Sequence, residues 1–152
     1  MNYSSIDVKP KSGSVGAEIL GVNLNKDMSS KQFNEIKLAF GQFGVIFFRD
    51  QNLTPDKEIE FAEKWGKINV NRFFTNVDGY PKIAMVLKEA DQRKNIGGAW
   101  HTDHTYDVEP AMGSILFAHE VPQKGGDTMF ASMYSAYENL SKGLKKTLYG
   151  MK

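Results

Sequence analysis

The chain has 152 residues, 41% hydrophobic and 24% charged, with 19 basic against 18 acidic side chains and a formal net charge of +1. That composition suits an ordinary globular protein with one sizeable core, and it argues against a phosphate-backbone binder or any other nucleic-acid partner. With no cysteine there are no disulfides, thiolate metal sites or cysteine nucleophiles, so any metal must be held by imidazole and carboxylate.

The opening stretch MNYSSIDVKPKSGSVG is polar and lacks the apolar segment of a secretory signal. No apolar run approaches membrane-spanning length. These features lead us to expect a cytoplasmic protein with no membrane partner. AEILGVNL (17–24) is bounded by glycines and reads as a strand leading into a turn. In SSKQFNEIKLAFGQFG, Phe33, Ile36, Phe40 and Phe43 recur at three or four residues, which predicts a helix with one buried face. Ser29 or Ser30 can cap its start and Gly44 can end it. VIFFR (45–49) reads as a strand buried on both faces.

TPDKEIEFAEKWG predicts a second helix, with Thr54 as N-cap, Pro55 at the first helical position and Gly66 at the end. Its apolar stripe is Ile59, Ala62 and Trp65. KIAMVLK (82–88) is a strand, followed by a polar loop over 89–98. GSILFAHEV (113–121) and TMFA (128–131) read as strands joined by the turn PQKGGD. Met133, Tyr137, Leu140, Leu144 and Leu148 fall at helical spacing, with a break near Ser141–Gly143. The order is mixed α/β (α+β), and the strands over 82–131 lack the βαβ rhythm of a parallel sheet. An antiparallel barrel or jelly roll with flanking helices fits, as a single domain over 1–152.

GGAWHTDHTYD (97–107) concentrates two of the three histidines within four positions. In extended chain His101 and Asp103 project to the same face, where imidazole and carboxylate can grip one first-row divalent cation. A 2-His-1-carboxylate triad is built on such a pair plus one distant histidine. An isolated His-x-Asp is common by chance. In the bland reading, His104 and Asp107 belong to a polar surface loop, and His119 is a core or edge histidine of its apolar strand.

The run Trp100-His101-Thr102-Asp103, then Pro110, then Gly125-Gly126-Asp127-Thr128 resembles the central segment of the taurine dioxygenase (TauD/TfdA) family. GAEILGVNL, GVIFFRDQ and LTPDKEIEFAEKWGKI resemble its N-terminal half, in consistent order. The resemblance implies a double-stranded β-helix (jelly roll, clavaminate-synthase-like) with flanking helices, apparently incomplete at the C-terminus. It also implies an iron(II)- and 2-oxoglutarate-dependent dioxygenase that uses O2 to hydroxylate a small organic substrate, with succinate and CO2 as co-products. His101 and Asp103 match two iron ligands and act in catalysis. Thr128 matches the threonine that helps hold the 2-oxoglutarate carboxylate.

Asn71, His104 and Tyr106 stand where substrate-facing residues are expected. Asn71 replaces the taurine enzyme's substrate-binding histidine, so taurine is a poor candidate substrate. The distal histidine and the 2-oxoglutarate-binding arginine of the family have no counterpart here, since the only later histidines are His104 and His119. Family members often self-associate, so a homo-oligomer is an expected partner state. Two alternatives stay open at this point: a non-catalytic or partner-completed metal-binding fragment, and a cupin-like metal-dependent hydrolase or isomerase.

Overall fold

The computed structural model describes residues 2–13 and 15–151. They form two compact units, one of Met1–Gln51 with Val121–Lys152 and the other of Asn52–Glu120.

In the first unit β1 (Asp7–Ser12) runs antiparallel to β2 (Val15–Leu20), with Asp7 opposite Leu20 and Pro10 opposite Ala17. Helix α1 (Ser30–Phe43) then crosses over to β3 (Ile46–Phe47), which lies parallel to β2 in the order β1-β2-β3. The predicted caps of α1 are present: Ser29 Oγ accepts the Gln32 N–H at 3.2 Å, and Gly44, at φ 69°, donates its N–H to the Phe40 carbonyl at 2.8 Å. Ile36 and Ala39 of the helix are buried, as are Ala17 and Ile19 of β2. Phe33, Phe40 and Phe43 are only half-buried.

Two differences from the sequence reading concern this sheet. The reading placed no strand over 7–12, because β1 is an edge strand whose exposed lysines and proline mask its period; a proline is tolerated there because an edge N–H needs no ladder partner. Val45 to Phe48 are half-buried rather than buried on both faces and Arg49 is exposed, and only Ile46–Phe47 joins the ladder.

Glu18, the buried carboxylate of β2, pairs with Lys11 Nζ at 2.6 Å and Arg49 Nε at 3.3 Å. Glu35 of α1 is buried too. Its two oxygens accept the backbone N–H and the hydroxyl of both Ser4 and Ser5, at 2.9–3.1 Å.

The second unit opens with α2 (Pro55–Trp65), capped by Thr54 Oγ1 on the Lys57 N–H at 3.3 Å. Phe61 is its buried residue, with the Trp65 ring edge-on at 6.0 Å. Ile59 and Ala62 are half-buried, so the apolar stripe is rotated from the predicted one. A hairpin follows, β4 (Asn76–Val77) and β5 (Tyr80–Ala84), turning on Asp78–Gly79 with Gly79 at φ 76°. Lys82 Nζ meets Glu63 at 2.5 Å and Tyr80 OH donates to Asp56 at 3.3 Å, tying β5 to α2. The ladder ends at Ala84, short of the predicted 88.

The first unit closes with α3 (Met133–Glu138) and α4 (Lys142–Leu148), capped by Ser132 and Ser141 and broken where predicted. The expected strands at 113–121 and 128–131 are not strands here. Both segments lack a hydrogen-bonded ladder among the described residues, and a strand exists only through such a partner. No helix among the described residues is long and apolar enough to cross a membrane.

The Glu35 cluster generates a stability prediction. The Ser5 backbone N–H, aided by both serine hydroxyls and the Ser4 N–H, outweighs burial and pulls the Glu35 pKa from 4.5 to about 2. A lowered folded-state pKa contributes stability that is fully present above 4.5 and is lost as pH falls toward about 2. Glu35→Gln should lower the unfolding temperature at pH 7 and flatten its dependence on pH between those limits. Equal melting curves for wild type and variant across that window would show that the cluster adds nothing.

Candidate metal centre

Residues 97–114, which carry the His-x-Asp motif, contain no helix or strand, so hydrogen bonds rather than a ladder fix their side chains. His101 Nδ1 lies 2.8 Å from the Ala99 carbonyl oxygen. A carbonyl can only accept, so Nδ1 carries the hydrogen, and in the Nδ1–H tautomer Nε2 keeps its lone pair. That Nε2 stands 3.2 Å from Asp103 Oδ1, a second acceptor. Two lone-pair atoms facing each other at this distance repel unless a proton or a cation lies between them.

The geometry fits a cation. First-row divalent ions take imidazole nitrogen and carboxylate oxygen at about 2.0–2.2 Å, so two such donors at right angles lie about 3 Å apart. Both side chains are more than half exposed, which leaves other coordination positions open to incoming molecules.

Two neighbours support the pair. Ser114 Oγ donates to the other Asp103 oxygen at 3.1 Å and so orients the carboxylate. Gly97, at φ 65°, lies against the His101 ring: a Cβ there would stand 3.3 Å from His101 Cε1, so a side chain would crowd the imidazole. The sequence reading identified neither residue. Ser114 is eleven positions from Asp103 and carried no signal, whereas Gly97 lay in the motif itself. Among the described residues no set of three or more His, Asp and Glu side chains could hold a metal, so the described donor set is the pair.

Beside the pair, His104 sits at φ 48°, a left-handed conformation uncommon for a residue with a Cβ. Its ring lies 5.5 Å from that of Phe73 and stacks at 5.6 Å on Tyr106. Its Nδ1 is 3.2 Å from Asp107 Oδ2, and Arg72 holds Asp107 Oδ1 at 3.3 Å. Asn71 Oδ1 accepts the N–H groups of Phe73 and Phe74, forming the turn that presents Arg72 and Phe73. Asn71 is half-buried, with its carbonyl oxygen engaged in its own loop.

Thr128 belongs to the other compact unit and is exposed, following Gly125 and Gly126 at φ 79° and 73°. Two consecutive left-handed residues make this the tight turn expected from the glycines. His119 is not a core residue; it is exposed, with its ring T-shaped on Phe117 at 4.7 Å. Across the chain from it, burial raises the pKa of Glu58, and the charge of His119 opposes that shift.

The sequence model of the taurine catabolism dioxygenase TauD, TfdA family matches residues 7–152. An alpha-ketoglutarate-dependent sulfonate dioxygenase of Saccharomyces cerevisiae is 30% identical over 97% of this chain and 38% of its own. An alpha-ketoglutarate-dependent sulfate ester dioxygenase of Pseudomonas putida is 34% identical over 93% of this chain and 46% of its own. The crystal structure of a taurine dioxygenase from Burkholderia xenovorans superposes with a TM-score of 0.82 at 33% identity, covering 97% of this chain and 52% of that one. The chain thus spans about half the length of the relatives it matches.

Ser114→Ala leaves Asp103 Oδ2 without its donor. Loss of such an orienting bond typically weakens metal affinity about 10- to 100-fold. Calorimetric titration of the full-length protein with zinc(II) should show a drop in that range, and an unchanged affinity would limit Ser114 to packing.

Proposed function

The chain belongs to the TauD/TfdA family, and from that premise we propose that the full-length protein is an iron(II)- and 2-oxoglutarate-dependent dioxygenase. One carbon–hydrogen bond of a small organic substrate becomes carbon–hydroxyl. 2-Oxoglutarate is oxidised to succinate and CO2, and the two oxygen atoms of O2 end in the product hydroxyl and in succinate. The observation that carries this reading is the 3.2 Å approach of His101 Nε2 to Asp103 Oδ1, with His101 Nδ1 already bonded to the Ala99 carbonyl.

When bound, iron supplies the activation of dioxygen. The chain's residues do the positioning. His101 and Asp103 would hold the metal, and Ser114 would keep the carboxylate turned toward it. Thr128 offers its hydroxyl to the 2-oxoglutarate carboxylate. Asn71, His104 and Tyr106 line the substrate's approach. In this reading the third metal ligand and an arginine for 2-oxoglutarate come from outside residues 1–152, and these residues are the N-terminal part of one jelly-roll dioxygenase domain. The relatives named for sulfonates and sulfate esters favour a small organic anion as substrate. The reading also has the enzyme cytoplasmic and able to self-associate.

His101→Ala and Asp103→Ala in the full-length protein should each abolish iron binding and 2-oxoglutarate-dependent oxygen uptake, because nothing nearby replaces a lost ligand. Asp103→Glu should be badly impaired, since the added methylene moves the oxygen relative to His101. Wild-type oxygen uptake in either alanine variant would sink the metal assignment.

Thr128→Ala should weaken 2-oxoglutarate more than iron. One hydrogen bond to a charged group is worth about 1.5–3 kcal/mol, roughly ten- to a hundredfold in affinity. Identical 2-oxoglutarate titrations for variant and wild type would leave Thr128 with only a structural part in its turn.

A further inference from the structure

His104 is fixed more firmly than a surface loop requires. Its backbone is held at φ 48°, and its own carbonyl accepts the Asp107 N–H at 3.0 Å. The imidazole is only about one quarter exposed, at 24% of its side-chain surface. Phe73 and Tyr106 contact the ring, and Asp107 takes Nδ1 at 3.2 Å. Asp107 is held in turn by Arg72, whose guanidinium also lies over the Phe73 ring, 5.3 Å from its centroid. A left-handed non-glycine residue costs free energy and persists where the surroundings over-determine it, as at ligand sites.

What this cluster leaves over is one atom. Nε2 has no protein partner among the described residues, and it is not among the buried unpaired atoms, so it is open to solvent. The Asp107 carboxylate accepts, so Nδ1 carries the hydrogen, and in that Nδ1–H tautomer Nε2 is the ring atom that offers a lone pair. That acceptor belongs to the residue immediately after Asp103. We propose that Arg72 and Asp107 are positioning residues that hold His104 so that Nε2 accepts a hydrogen bond from an N–H or O–H group of the substrate. The site then selects substrates that carry such a donor over those that lack it.

This inference rests on the dioxygenase reading for the location of the substrate, and its test separates the two. Zinc-loaded full-length protein is titrated calorimetrically with matched anions: 3-hydroxypropanesulfonate against propanesulfonate, and 6-hydroxyhexanesulfonate against hexanesulfonate. At one chain length or the other, the hydroxyl-bearing member should bind roughly tenfold more tightly, the worth of one well-placed hydrogen bond. Asp107→Ala frees the ring and should reduce that preference to about twofold or less. Asp107→Asn, whose amide oxygen can still accept from Nδ1, should keep most of it. Nitrogen-15 spectra of the His104 ring should show the Nδ1–H tautomer in wild type and Asp107→Asn, and a tautomer mixture in Asp107→Ala.

Zinc affinity should be unchanged in the Asp107 variants and lost in His101→Ala. If wild type shows no preference within either pair, or if Asp107→Ala keeps the preference, the positioning role is wrong even with zinc binding intact. If wild type fails to bind zinc, it is the metal reading that falls; the ring spectra and the paired-anion titration, run without metal, still decide the role of His104.

Discussion

The site hangs on a repulsion. With Nδ1 bonded to the Ala99 carbonyl, His101 Nε2 faces Asp103 Oδ1 at 3.2 Å, and the two atoms stay together only around a proton or a cation. The same separation suits a cation held between the two atoms, which makes the two-residue motif a candidate binding geometry. The neighbours make sense in those terms. Ser114 removes the freedom of the carboxylate to turn away, and Gly97 leaves the ring the space it occupies. None of this relies on regular secondary structure. The segment is instead fastened by side chains: the Asn71 turn sends Arg72 to Asp107 and Phe73 to His104, linking the loop to a chain stretch some thirty residues earlier.

The two histidines of the motif obey one rule with different outcomes. Each has Nδ1 committed to a fixed oxygen acceptor, the Ala99 carbonyl for His101 and the Asp107 carboxylate for His104. Each therefore directs the lone pair of Nε2 outward. In His101 it meets a carboxylate, and the pair is suited to a metal. In His104 it meets no protein group, and the atom is left for a ligand. The partner of Nδ1 thus sets what Nε2 can do, and chain position decides what it finds.

Sequence legibility followed the range of the interactions involved. Helices α1 and α2 were readable with their caps, because Ser29, Gly44, Thr54 and Pro55 act within one turn. His101 and Asp103 were readable because their contact spans two residues. Strand β1 was hidden because an edge strand needs only one buried face and tolerates Lys9, Pro10 and Lys11. Ser114 and Arg72 were hidden because their partners are 11 and 35 residues away, and nothing local marks a serine or an arginine as an orienting group. The segments 113–121 and 128–131 have the composition of strands, but a strand is a property of two chains, and the second is not among the described residues.

That last point bears on where stability and chemistry meet. Every buried hydrophobic residue among those described lies before residue 62: Ile6, Ala17, Ile19, Leu24, Ile36, Ala39, Leu53 and Phe61. Beyond residue 84 most large apolar side chains are exposed, among them Val108 at 99%, Leu116 at 74% and Phe130 at 54%, while Phe117 and Leu140 are half-buried. A monomer rarely leaves so many uncovered, because each buried side chain of this size is worth about 1.5–3 kcal/mol. In our reading the covering strands belong to the further length that the relatives possess, in the other part of the jelly roll. Ser114 stands in the uncovered segment 113–121 and holds Asp103. In that reading, pairing the segment into a sheet would also fix the carboxylate that Ser114 holds, and would couple the order of this segment to that of the candidate site.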